Sequence, residues 1–249
     1  MKSMLRDIRR RGCEVRRFLV DTVSGNRARF AIAMGGAGEE ARIMLEQSIT
    51  QSDHVEAKLH NMALAASAIN GVTLPTDGIF SFWHMVGRPS AARGFLPGRS
   101  LLGGRLALDY GGGLCQLSGV LYHLALQSGL RVIERHPHTL DIYTEEERYT
   151  PLGSDAAVAY GFKDLRFVNT HPFPVALRID IGADTVAGFC CAPLPIPKRD
   201  IEFLRVRAAS GTSVVETWRT APDGGRELIA TSRYAVETRQ LSNASSHIE

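Results

Sequence analysis

A run of three glycines leads straight into a cysteine and a glutamine: Gly111-Gly112-Gly113-Leu114-Cys115-Gln116. Downstream, Leu114, Leu117, Val120/Leu121 and Leu124/Ala125 recur at helical spacing, and Gly129 stops the pattern as a C-terminal cap. Cys115 therefore falls in the first turn of a helix. Backbone N–H groups there have no partner inside the helix, and the macrodipole favours an anion, so a thiolate is stabilised. Glycines lack a Cβ, which lets a substrate backbone approach and lets the chain take positive φ. The arrangement suits a cysteine attacking a carbonyl, with the helix-start N–H groups and the Gln116 side chain as oxyanion donors. Two other readings fit the same residues: a small, inert buried cysteine, or an anion cradle formed by the glycines. The segment is not a P-loop, because no Gly-Lys-Ser/Thr follows.

A cysteine nucleophile needs a base, and the base needs a group to orient it. Residues 131–135 read as a strand that runs into His136-Pro137-His138. Histidines two apart share a face in extended chain, so either can serve as the base. Asp155 and Asp164 are the candidate orienting carboxylates. The set Cys115, His136, His138 and Asp155 would also suit zinc, although the chain has no C-x-x-C pair. No cofactor is expected.

These residues must be positioned by the elements around them. Residues 3–24 read as a basic amphipathic helix, and residues 37–70 as helical up to a cap at Asn70-Gly71. Phe80-Ser81-Phe82-Trp83 is expected to pack in the core. Residues 87–104 read as a long loop, in which Arg88, Arg93, Arg99 and Arg105 are solvated or bind a carboxylate. Alternation over residues 175–181 predicts a half-buried strand. Ala192-Pro193-Leu194-Pro195-Ile196-Pro197 predicts an extended linker. Beyond it, residues 213–218 and 227–236 form a hairpin across Pro222-Asp223-Gly224-Gly225. The division is therefore a basic helical segment (1–50), a central domain (51–191) and a small β-rich unit (199–240). Strands and helices do not alternate regularly, so the fold class is α+β rather than doubly wound. It has a helical N-terminal part, a mixed core with the glycine loop leading into a central helix, and a small antiparallel C-terminal unit.

Composition sets outer bounds. With 249 residues, 44% hydrophobic and 22% charged, the chain can bury a sizeable core. A net charge of +3 gives no general case for nucleic-acid binding. The charge is uneven, since residues 1–30 hold nine Lys/Arg against three acids; this basic head reads first as a solvated helix, with peripheral contact to an anionic membrane or to nucleic acid as the alternatives. No apolar run is long enough for a transmembrane helix or a signal peptide, so the expected location is cytoplasmic. The four cysteines, Cys13, Cys115, Cys190 and Cys191, form no disulfide framework.

Several stretches together resemble the VanW family. They are Phe80-Ser81-Phe82-Trp83 with Val86-Gly87-Arg88-Pro89, then Gly94-Phe95 and Gly98, then Gly111–Gln116 with Leu117. Val132-Ile133-Glu134-Arg135 with His138, Pro151–Ala156 and Asp164–Asn169 complete the series, which runs from about Gln51 to Ile181. The resemblance implies a link to glycopeptide resistance and to peptidoglycan L,D-transpeptidation. It assigns the nucleophile to Cys115 and favours His138 over His136 as the base. The implied substrate is a peptidoglycan-like peptide, and the alternative is a non-catalytic module that binds a cell-wall precursor or another anionic ligand.

Overall fold

The computed structural model describes residues 2–33, 41–49, 54–102, 105–141, 148, 150–209 and 211–236. The chain begins with α1 (Lys2–Val23), α2 (Asn26–Arg29), β1 (Ile32–Ala33), β2 (Ala41–Ser48) and α3 (Val55–Ile69). There follow β3 (Val72–Leu74), β4 (Ile79–Ser81), α4 (Phe82–Val86), a 3-10 turn (Ala91–Arg93), β5 (Gly98–Leu102) and β6 (Arg105–Asp109). The central helix α5 (Leu114–Gln127) leads to β7 (Arg131–Glu134), β8 (Leu140–Asp141), β9 (Arg166–Val168), β10 (Val175–Ile181) and β11 (Thr185–Ala192). The chain then adds β12 (Ile201–Ala209), β13 (Thr212–Thr220) and β14 (Arg226–Val236). The fold is α+β. Its sheets have the orders β1-β3-β10-β11-β2, β12-β13-β14-β8 and β4-β9-β7, with β5-β6 as a separate hairpin.

Helix α5 is the centre of the core. Leu114, Leu117, Val120, Leu121, Leu124 and Leu126 are all buried. The helix crosses the five-stranded sheet at Gly188 of β11, where a Cβ would come within 2.9 Å of Val120. Burying each of these side chains contributes roughly 1.5–3 kcal/mol. Together they outweigh severalfold the roughly 1 kcal/mol that Gly119 costs in mid-helix. Tertiary burial, rather than intrinsic propensity, therefore holds α5 in place.

The cap at Asn70-Gly71, the strand at 175–181 and the hairpin across 222–225 all form. Phe80 and Phe82 are fully buried. Two expectations need correction. The region read as helical from 37 to 70 contains strand β2 before helix α3. In β2, Ile43 and Gln47 are buried while Arg42, Met44, Glu46 and Ser48 are exposed, the two-residue period of a strand with one face covered. Pairing with β11 from Thr185↔Ser48 to Ala192↔Ala41 sets this register. Residues 37–40 and 50–53 of that region, and 237–240 of the expected C-terminal unit, lie outside the described residues. The expected loop at 87–104 includes β5, which pairs with β6. Residues 103–104 and the side chains of Arg99 and Arg105 lie outside the description. Arg93 donates to the carbonyls of Val86 and Arg88, so it shapes this loop internally.

The proline-rich stretch joins β11 to β12. The sheet beyond it packs Ile201, Phe203 and Ile229 against the main core. It also meets the central region through β8, which pairs in parallel with β14 at Leu140↔Ala235.

Candidate active site

Cys115, Ser118, Gly119 and Tyr122 are spaced i, i+3, i+4 and i+7, so they share one face of α5. That face lies against residues 153–158. The Cys115 Sγ points to the Val158 carbonyl at 3.7 Å, a weak thiol hydrogen bond. The Ser118 hydroxyl donates to the Ala156 carbonyl at 2.5 Å. The backbone of Asp155 lies beside Gly119, its Cα 3.8 Å from where a Cβ would stand, an ordinary contact distance. The Tyr122 ring lies beneath the Arg135 guanidinium, 4.9 Å from its centroid.

His138, between β7 and β8, completes the line. Its Nδ1 is 2.7 Å from Asp155 Oδ2, and its backbone N–H donates to the same oxygen at 2.6 Å. With Nδ1 engaged by the carboxylate, Nε2 is the ring nitrogen left for the thiol. The other carboxylate oxygen, Oδ1, accepts from the Tyr234 hydroxyl at 2.6 Å and from Arg135 Nη2 at 2.9 Å. Arg135 also donates to the carbonyls of Gly153 and Asp155 and to the Ser232 hydroxyl.

The electrostatics follow from these contacts. Burial alone would raise the Asp155 carboxyl, but the His138 hydrogen bond and the Arg135 charge hold it well below the usual carboxylate range. Burial alone would lower His138, but the bonds to Asp155 and to the Cys115 thiol raise it to about 10. Burial alone would raise the Cys115 thiol, but the hydrogen bond and charge of His138 bring it below its ordinary value. Each partner therefore favours the charged form of the other. Cys190 shows the opposite case: with no such partner, burial pushes its thiol up to about 12.

The glycine loop adds backbone donors. Gly113 caps α5 at φ 89°, and a Cβ there would come within 2.8 Å of Met62 and 3.0 Å of the Lys58 carbonyl. Asn61 of α3 holds the loop from behind, donating to the carbonyls of Gly112 at 3.2 Å and Leu96 at 2.9 Å. The first bonds of α5 run from Leu114 N–H to Gly111 and from Gln116 N–H to Gly113. Among the described residues, no backbone carbonyl accepts from the N–H groups of Gly112, Gly113 or Cys115. Unpaired N–H groups at a helix start can receive an anion.

The structure brings together Gly111, Gly112, Gly113, Cys115, His138 and Asp155, and it places three other candidates elsewhere. Gln116 is buried and donates through Nε2 to the Ser48 carbonyl at 2.8 Å, so its amide serves β2 rather than an oxyanion. His136 turns to Glu134, with Nε2 3.0 Å from Oε1. Asp164 accepts from the Ser81 hydroxyl at 2.6 Å and from Arg166 at 2.8 Å, and so ties β4 to β9. The zinc grouping needed His136 beside His138. Among the described residues, no three His, Cys, Asp or Glu side chains are arranged to hold a metal ion.

Arg135, Tyr234 and Ser232 were not among the candidates read from sequence. Arg135 adjoins the His-Pro-His segment, but nothing local marks it for burial, although its side chain is only 6% exposed. Tyr234 is 79 positions from Asp155 and sits in a strand with ordinary alternation, so no local signal could have found it.

A family model described as VanW like protein matches residues 57–189, just over half of the chain. The chain belongs to the VanW family. The VanW-matching stretch holds Cys115, Arg135, His138 and Asp155, whereas Ser232 and Tyr234 lie outside it. The chain is 32% identical over 133 residues to the vancomycin B-type resistance protein VanW of Enterococcus faecalis, covering 53% of this chain and 48% of that protein. It is 34% identical over 124 residues to the uncharacterized protein YoaR of Bacillus subtilis, covering 49% of this chain and 39% of that protein. The chain thus spans less than half the length of each of these VanW relatives. No solved structure matches it.

Proposed function

We propose that this VanW-like protein is a cysteine acyltransferase of the L,D-transpeptidase type, with Cys115 as nucleophile, His138 as proton carrier and Asp155 as the group that orients His138. The observation that carries the reading is the continuous line from the helix-start thiol through His138 to a carboxylate held by Arg135 and Tyr234. In acylation, the thiolate attacks a peptide carbonyl and the N–H groups of the glycine loop and Cys115 receive the oxyanion. The imidazolium gives its proton to the departing amine, leaving a thioester and neutral His138. In transfer, an acceptor amine attacks the thioester and loses a proton to His138. The thiolate leaves, and the ion pair is restored. The substrate class, a peptidoglycan stem peptide, is drawn from family membership and from the name of the Enterococcus relative as a vancomycin B-type resistance protein.

The test is incubation with peptidoglycan stem peptides and an amine acceptor, followed by mass spectrometry. The expected result is a cross-linked product and a thioester adduct on Cys115, both absent in Cys115→Ala. Equal product from the two proteins, or a labelling rate for Cys115 no faster than for an ordinary thiol at pH 6, would defeat the proposal. The second of these results would favour a binding module.

A further inference from the structure

Helix α1 has its polarity turned inside out. Its inner side is charged and is held to the body by ion pairs. Asp21 is buried and grips Arg166 through both oxygens, at 2.8 and 2.9 Å. Arg17 donates to Glu134 at 2.8 Å and to the Phe162 carbonyl at 3.0 Å. Arg10 lies so close to Gly161 that a Cβ there would stand 2.6 Å from its Cγ. The outer side is apolar. Leu5, Ile8, Val15, Phe18, Leu19 and Val23 are each 52–88% exposed. At 100° per residue they fall within an arc of about 140°, opposite Arg10, Arg17 and Asp21.

A soluble helix normally docks its apolar face and exposes its charges, and an exposed apolar stripe of this extent marks an interaction surface. The charges around the stripe identify the partner. Arg9 and Arg16 flank it on one side and Arg11 lies at its other margin, all exposed. The Arg27 guanidinium stacks over Phe18 at 4.2 Å. The acids point elsewhere: Asp7 and Glu14 pair with Arg10, and Asp21 pairs with Arg166. A second copy of the helix would set Arg9, Arg11 and Arg16 against one another, with Asp7, already paired with Arg10, as the exposed acid nearest the stripe. An anionic lipid surface satisfies both features, because acyl chains take up the apolar stripe and headgroups meet the arginines. No helix among the described residues is long and apolar enough to cross a membrane, so this one would lie in the interface.

We infer that α1 is an interfacial membrane helix. Its outer face of Leu5, Ile8, Val15, Phe18, Leu19 and Val23 seats in an anionic bilayer, while its inner ion pairs carry the rest of the protein. This inference does not depend on the chemistry of Cys115. The arrangement also ties the membrane to the site, because Arg17 grips Glu134, the residue next to Arg135.

Flotation of the full chain with vesicles of phosphatidylcholine, with and without about one-third phosphatidylglycerol, tests it. The expected result is binding to the anionic vesicles that weakens as salt rises, with little binding to the neutral ones. Replacing Arg9, Arg11 and Arg16 together by Gln is expected to weaken binding about a hundredfold. Replacing Ile8, Val15 and Leu19 together by Ser is expected to weaken it more than about tenfold. Both variants should keep the wild-type circular dichroism spectrum and Cys115 alkylation rate, since the altered side chains lie on the outer face. Failure of the folded wild-type chain to bind anionic vesicles would overturn the inference. So would equal binding to neutral vesicles, undiminished binding by the Ser variant, or a lipid-free dimer that the Ser variant dissolves.

Discussion

At the scale of single residues, a half-buried and a buried cysteine give opposite results. Burial pushes the Cys190 thiol up to about 12 despite a hydrogen bond with Ser128, whereas Cys115 faces a cationic His138 and its thiol is brought down. Iodoacetamide is therefore expected to label Cys115 first, with a rate that stays high well below the ordinary thiol value of about 8.5. Mass spectrometry across pH 5 to 9 checks both the site and the profile. In His138→Ala, the thiol loses the main opposition to its burial. Labelling at pH 6 should then fall by at least about tenfold, with the profile moving above the ordinary range. Asp155→Asn should act in the same direction through His138, because the imidazolium loses the carboxylate that stabilises it. Asp155 also affects folding. Its carboxyl is depressed in the fold, so its stabilising contribution is present above the ordinary range near pH 4 and is lost as pH falls towards the folded value. His138 has the opposite sign. Raised to about 10, it contributes fully below about 6.5, and the contribution disappears as pH rises through 10.

At the scale of elements, a turn and a hairpin hold the line from Cys115 to Asp155. Gly113 combines positive φ with a Cβ position blocked by Met62 and the Lys58 backbone. Gly113→Ala is expected to cost roughly 1–3 kcal/mol, read by urea unfolding, and to slow Cys115 labelling by displacing the start of α5. The β13–β14 hairpin brings Tyr234 to Asp155. Tyr234→Phe removes a buried donor to a carboxylate and is expected to cost about 1.5–3 kcal/mol. Its specific signature is that acid destabilisation begins at higher pH than in the wild type, since Asp155 has one donor fewer. A loss of stability that is the same at every pH would mean that Tyr234 acts only by packing. Sequence made much of this level legible. The period of α5, its glycine boundaries and the hairpin across residues 222–225 are all local patterns. Strand β2 was not legible, because its alternating pattern covers only eight residues and adjoins a true helix.

At the scale of the whole molecule, the C-terminal sheet is built into the site. Phe203 and Val215 would come within 2.9 Å of a Cβ on Gly153, beside Asp155, and Ala235 donates to the Thr139 carbonyl next to His138. The sheet and the core are therefore expected to unfold as one unit. The two tryptophans report on each half, Trp83 from α4 and Trp218 from β13. Single-tryptophan variants should give coincident urea transitions, and two separated transitions would show that the sheet unfolds on its own. The sequence alone determined the glycine-led helix with Cys115 in its first turn, the histidine segment after the next strand, the α+β class and the basic amphipathic head. These depend on spacing, turn residues and charge along a few neighbouring positions. Only the tertiary structure decided that His138 meets Asp155 while His136 turns to Glu134. It also decided that a tyrosine beyond the VanW-matching stretch completes the carboxylate's hydrogen bonds, and that the amphipathic helix faces outwards with its apolar side. Those outcomes depend on which distant charges find partners when the chain closes on itself, and burial makes each pairing compulsory once water is excluded.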